Sequence, residues 1–233
     1  MSSEIESFYK RELIINILKL GTLDAEIISR NTRLPKEIVS KLINELEISY
    51  LDKTSLAMLY MSLGGDPERV SNYLNWRDFE SFVGRSLEDY GYIVARSIRL
   101  PPPRGLEIDV MALDKKLRRL FIIDCKHWKR SRESELRQVA IEMLNKINVF
   151  MRRCFLIARN HPWIYLAKSI TPLIVTLRQT EIKQIENSVI ILPIAFFRDF
   201  FNNLDLYLDE LNIRVIRITC GNKDLKTLFE KNH

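Results

Sequence analysis

Apolar residues follow two different periods along this chain, and the change of period divides it. In the first sixty residues they recur every three to four positions. Phe8, Leu13, Ile14, Ile17 and Leu18 predict a helix from Glu6 to Leu20, ended by Gly21. Asp24 can cap a second helix over 25–31, and the turn Thr32-Arg33-Leu34 leads to Pro35, a favoured opening residue for a third. That helix runs to about Leu46, with Ile38, Val39, Leu42, Ile43 and Leu46 on its buried side. Two short helices joined by a tight turn make a helix-turn-helix. The stretch from Ile48 to Met61, broken at Asp52-Lys53-Thr54, is expected as a pair of strands. Ser62 to Pro67 has the glycines and proline of a linker, so domains are expected at 1–65 and 66–233.

Beyond the linker, a helix is expected over roughly 75–90, and then the period changes to two. Leu106–Leu113 and Leu120–His127 are aliphatic, and the charged segment 114–119 lies between them, which is the pattern of a β-hairpin. A further helix is expected over 135–151, strands at 173–177 and 189–192, a helix over 196–211 and a last strand over 213–219. This order predicts an α/β domain with a mixed central sheet flanked by helices.

The hairpin carries the candidate chemistry. Successive strand side chains alternate between faces, so Asp124 and Lys126 share one face. If the hairpin is symmetric about 116/117, Asp109 stands opposite Asp124, with Cα atoms about 4.5–5.5 Å apart. Two carboxylates at that spacing can hold one cation. The four residues before Asp124 are uninterrupted and apolar, as in a strand buried on both faces. An aspartate and a lysine ending such a strand are costly unless paired or metal-bound. A structural salt bridge and a metal site both answer that need.

Glu80 belongs to the expected helix at 75–90. At about 100° per residue it lies roughly 60° from the middle of the stripe formed by Trp76, Phe79, Val83, Leu87 and Tyr90, while Asp78, Glu88 and Asp89 lie farther round. Among these acids Glu80 flanks the buried face and is the one able to reach a site on the sheet. A surface glutamate with its stem laid over apolar neighbours is the competing reading.

Taken in order, Phe79-Glu80, Gly91-Tyr92-Ile93-Val94, Gly105-Leu106-Glu107-Ile108-Asp109-Val110 and Phe121-Ile122-Ile123-Asp124-Cys125-Lys126 resemble the PD-(D/E)xK nuclease superfamily. The layout is most similar to Mrr-type restriction endonucleases and archaeal Holliday junction resolvases. The resemblance implies a restriction-endonuclease-like fold and metal-dependent DNA cleavage. It makes Glu80, Asp109 and Asp124 metal ligands and Lys126 the catalytic lysine. The backbone carbonyl of Cys125 is a further possible ligand. Gln138 resembles a glutamine often found after the Asp-x-Lys strand, although a helical wheel turns it away from the apolar stripe. The rigid Pro101-Pro102-Pro103 is a departure that the family does not require. Carboxylate oxygens suit Mg²⁺, with Mn²⁺ as a substitute.

Composition adds a partner. The formal net charge of +6 over 233 residues favours a polyanion, here DNA. The N-terminal part resembles a winged helix-turn-helix. Lys36, Ser40, Lys41 and Asn44 lie on the outer side of its third helix, where they can meet phosphates or bases. A unit of this kind used only for dimer contact is the alternative, and Glu37 and Glu45 favour it. The basic run 127–132 is either a solvated loop or, through Lys129 and Arg130 with Trp128 beside them, a grip on a phosphate backbone. Three cysteines without paired spacing suggest a reducing, cytoplasmic setting with no disulfide and no zinc site. No apolar run is long enough for a membrane span. The reading is thus a Mg²⁺-dependent DNA endonuclease acting as a homodimer. The alternative is a non-catalytic DNA-binding or regulatory protein on the same fold.

Overall fold

The computed structural model describes residues 3–102, 105–127, 132–177, 181–218 and 220. The chain divides into two compact units, Met1–Phe82 and Val83–His233. The first is helical throughout its described residues: α1 (Ser3–Leu20), α2 (Ala25–Thr32), α3 (Lys36–Glu45), α4 (Lys53–Ser62), α5 (Pro67–Ser71) and the start of α6 (Trp76–Asp89). Gly21 closes α1 at a φ of 65°. The Asp24 side chain accepts from the Glu26 and Ile27 amides and caps α2. Thus α2 and α3 are two short helices joined by a short turn, and α1 packs on α2, α3 and α4. Leu13, Ile14, Ile17, Ile28, Val39 and Ala57 are fully buried. Ile38, expected inside, is 43% exposed.

The expected wing does not form. Asp52, read as a break between strands, instead caps α4: its Oδ1 accepts from the Thr54 amide at 3.1 Å and its Oδ2 from the Ser55 amide at 3.2 Å. Leu56, Ala57 and Tyr60 of that helix are buried. The segment expected as a linker is a tight turn between α4 and α5. Gly64 has a φ of 77°, and a Cβ on Gly65 would stand 2.1 Å from the Tyr60 ring. Arg69 of α5 pairs with Glu12 of α1 at 2.5 and 2.8 Å, so α5 is part of the helical unit, and the division falls at 82/83 rather than at 65/66.

The second unit is built on a mixed sheet. Its strands are β1 (Ile93–Leu100), β2 (Leu106–Asp114), β3 (Arg119–Lys126), β4 (Ser169–Thr176), β5 (Lys183–Ile185), β6 (Val189–Pro193) and β7 (Ile216–Arg217). They run in the order β1-β2-β3-β4-β6-β5, and β7 pairs with the start of β4. The first three are antiparallel, and β3, β4 and β6 are mutually parallel. A parallel neighbour requires a crossover, which α7 (Glu133–Ala158) supplies between β3 and β4. Its face of Leu136, Val139, Met143, Ile147 and Phe150 packs with Met111, Leu120, Ile122 and Ile174 in the core. On the other face, Phe121 meets Tyr92 and Phe201 edge to face. The helix expected over 196–211 is two, α8 (Phe197–Asn202) and α9 (Leu204–Glu210), separated by Asn203 at φ −119°, ψ 34°.

The expectation of unpaired cysteines also fails: Cys154 at the end of α7 is bonded to Cys220 just past β7. Spacing of 66 residues along the chain conceals a Cα separation of 5.7 Å, because β7 returns to pair with β4. The cysteine argument for a reducing compartment falls with it. Among the described residues, no helix is long and apolar enough to cross a membrane.

Candidate active site

The β2–β3 hairpin has the symmetric register that its sequence suggests. Asp114 pairs with Arg119, Leu113 with Leu120, and so on to Val110 with Ile123. The turn is held by the Asp114 carboxylate, whose Oδ1 accepts from the Lys116 amide at 2.8 Å and the Leu117 amide at 3.1 Å. With the turn fixed, every later pair follows. Asp109 and Asp124 come next, one step beyond the last ladder pair. There the Asp109 carboxylate accepts the Cys125 amide at 2.7 Å. On the outer side of Asp109, Arg96 of β1 pairs with Val110 and Ile98 with Ile108, while Ser97 between them lies at a φ of 52° and drops out of the pairing. The first strand is distorted opposite this aspartate.

Asp124 is 4% exposed. The strand before it is buried from Leu120 to Ile123, and the pattern opens only at Cys125 and Lys126. Both oxygens of Asp124 carry an ammonium partner. Lys126 Nζ lies 2.8 Å from Oδ2, and Lys146 Nζ donates to Oδ1 at 3.0 Å. Burial alone would raise the Asp124 pKa. The Lys146 and Lys126 charges outweigh it and hold the carboxyl below its ordinary range. Burial likewise works to lower Lys126, but the Asp124 carboxylate, helped by Asp109 and Glu142, raises it above the usual lysine value. The Asp124 carboxylate thus favours the charged form of Lys126.

Lys146 is a site residue that the sequence alone does not single out. It comes from α7, beside Met143 and Ile147, both buried. A lysine at that place in an apolar stripe is the available signal. Next to Lys126 in the β3/β4 register stands Thr176, 1% exposed, whose hydroxyl makes no hydrogen bond within the described residues.

The remaining expected residues divide. Gln138 is exposed on α7, where its Nε2 donates to Glu142 Oε1 at 3.1 Å. Glu80 is half-buried on α6 and belongs with the unit that ends at Phe82. On α3, Lys36 approaches Glu26 at 3.6 Å and Lys41 approaches Glu45 at 3.6 Å, and Asn44 is exposed. Lys129 and Arg130 lie outside the described residues. Among those described, no cluster of three or more His, Cys, Asp or Glu side chains is placed to hold a metal ion.

The donors that are present suit a hard cation. One carboxylate lies within β2 and the other near the end of the adjacent β3, and Mg²⁺ is commonly held by one or two carboxylates, with water and substrate phosphate completing its shell. The orphaned Thr176 hydroxyl beside Lys126 is also a natural partner for an ordered water.

A family model described as a restriction endonuclease, the Mrr catalytic domain, matches residues 72–149. That segment runs from just before α6 through the hairpin and into α7, and so contains Asp109, Asp124, Lys126 and Lys146. The match supports assignment of this part to the PD-(D/E)xK nuclease superfamily, and the mixed sheet flanked by helices is consistent with its restriction-endonuclease-like fold. No curated protein matches the chain. Among solved structures, it is similar to protein VC1899 from Vibrio cholerae, at 13% identity and a TM-score of 0.33. That similarity covers 92% of this chain and 59% of the other, so the chain spans about three fifths of the structure it matches.

Proposed function

We propose that this chain is a divalent-metal-dependent DNA endonuclease that hydrolyses phosphodiester bonds. The observation that carries the reading is Asp124 buried near the end of β3, with Lys126 on its carboxylate and Asp109 of the adjacent strand accepting the Cys125 amide beside it. Burial of an aspartate at a strand end is costly for the fold, and the residues around it are those that phosphodiester hydrolysis needs.

Asp109 and Asp124 would hold Mg²⁺, or Mn²⁺ in its place, with the Cys125 carbonyl as a further oxygen donor. The ion supplies a Lewis acid for the phosphate and lowers the pKa of bound water. The protein's own part is orientation and charge. Lys126, kept protonated by Asp124, donates toward the phosphate oxygens where negative charge builds up during attack. Gln138, hydrogen-bonded to Glu142 on α7, would act from the same side if it takes the role of the family's glutamine. Lys36, Lys41 and Asn44 of the helix-turn-helix would add phosphate or base contacts, as would Lys129 and Arg130 after β3. A homodimer would allow both strands to be cut.

The test is incubation of the full chain with plasmid, branched and single-stranded DNA in Mg²⁺ or EDTA. Cleavage that requires Mg²⁺ and disappears in Asp124→Asn is expected. Cleavage unchanged in excess EDTA overturns the mechanism. A second reading, a DNA-binding regulator on a nuclease fold, draws on the fact that both Asp124 oxygens already have lysine partners. It requires DNA binding without cleavage in Mg²⁺ and in Mn²⁺.

A further inference from the structure

Asp124 presents two carboxylate oxygens, and each already carries an ammonium: Lys126 Nζ lies 2.8 Å from Oδ2 and Lys146 Nζ lies 3.0 Å from Oδ1. The carboxylate is only 4% exposed, so little of it is left open to a further partner. A divalent ion that binds Asp124 takes one of those two positions, and the ammonium that held it leaves.

The geometry decides which one. Lys126 sits two residues from Asp124 on the same strand, so it shares that face wherever the strand goes. Lys146 reaches in from a different element, and its side chain keeps 30% exposure, which leaves a path to water. A second anchor lies ready for it. Glu142 is exposed on α7 four residues earlier, the spacing at which a glutamate and a following lysine pair on a helix. Glu142 already acts on the charge of Lys126, so it lies at the edge of the same cluster.

We propose that Lys146 is a resident counter-ion for Asp124 that a divalent cation displaces, its ammonium moving out toward Glu142. It is a positioning residue: it holds the buried carboxylate ionised and in place while the site is empty, and it sets a threshold that the metal must overcome. This rests on the metal-binding reading given above.

The test measures metal binding directly, in the full chain and without DNA. Mn²⁺ is titrated into wild type and Lys146→Met and followed by the paramagnetic signal of the free ion. With the competitor gone, the variant should bind Mn²⁺ about tenfold more tightly, the scale of one modest ion-pair contribution. A purely structural tether gives the reverse, because its loss loosens a ligand. Equal or weaker binding by the variant therefore overturns the proposal. Wild type supplies a check that does not depend on the variant folding: acetylation of Lys146, read by peptide mass, should rise several-fold when Mn²⁺ is saturating. Unchanged labelling under saturation overturns the displacement. If neither protein binds Mn²⁺, the metal-site reading itself fails and this inference falls with it. Binding in wild type without the Lys146 effects removes only the inference.

Discussion

Lys41 of α3 and Lys126 of β3 each lie beside a carboxylate, yet the two pairs have different physical character. Lys41 is 69% exposed and 3.6 Å from Glu45, one turn along its own helix. Water screens that pair, and such contacts contribute about 0–1 kcal/mol. Asp124 is nearly sealed from solvent and holds its two lysines at 2.8 and 3.0 Å. The first lysine can leave its partner for a phosphate at little cost. The second is part of a cluster in which removal of any member disturbs the rest. The contrast separates the two halves of the proposed activity: exposed pairs would provide an adjustable grip, and the cluster around buried Asp124 would provide the chemistry.

The largest effect should come from breaking the buried cluster. Asp124→Asn should reduce DNA cleavage by on the order of 10²–10³-fold or more, the scale of losing one aligned charge-stabilising group. Its thermal unfolding should change less than the roughly 3–5 kcal/mol typical of a broken buried pair, because both lysines are partly exposed and can be hydrated. Lys126→Ala should lower the turnover rate by a comparable factor while Mn²⁺ binding persists, as measured in single-turnover cleavage alongside a metal titration. Loss of metal binding in that variant would recast Lys126 as a structural support for Asp124.

A smaller effect concerns pH. Asp124 has a folded pKa below its unfolded value, so its ion pairs stabilise the fold above the unfolded value of about 4. That contribution is lost as pH falls through the folded pKa. In EDTA, wild-type stability should therefore decline more steeply below about pH 4 than that of Asp124→Asn, as followed by denaturant unfolding. Parallel curves would mean that the lysines do not hold the carboxylate as described.

Reading the sequence succeeds where one local rule is decisive. A symmetric hairpin with period-two alternation locates Asp109, Asp124 and Lys126 relative to one another, and the Asp114 turn enforces that register. It fails where a helix has no polar face. Leu56 to Met61 is apolar nearly all round, so α4 shows no 3.6-residue period, and its true start signal, the Asp52 cap, reads as a strand break. Lys146 escapes for another reason. The sequence shows that a lysine interrupts an apolar stripe but not which carboxylate faces it across the crossover. The Cys154–Cys220 bond depends on β7 returning to β4, a pairing that no local pattern announces.

The smallest effect tests the exposed side of the comparison. The double change Lys36→Ala and Lys41→Ala should leave unfolding stability within about 0.5 kcal/mol, as surface substitutions usually do. It should make the plot of log DNA affinity against log salt shallower by about 0.9 for each phosphate that is no longer neutralised. Unchanged affinity and slope, together with loss of self-association, would make this unit an assembly device.

The central claim is that the Asp109, Asp124 and Lys126 cluster cuts DNA with a divalent ion. Its most direct test is single-turnover cleavage of duplex DNA by wild type and by Asp124→Asn across a Mg²⁺ titration. The account predicts a wild-type rate that rises from zero with Mg²⁺ to a plateau and a variant rate that stays near zero throughout. A variant that reaches the wild-type plateau at any Mg²⁺ concentration would contradict it.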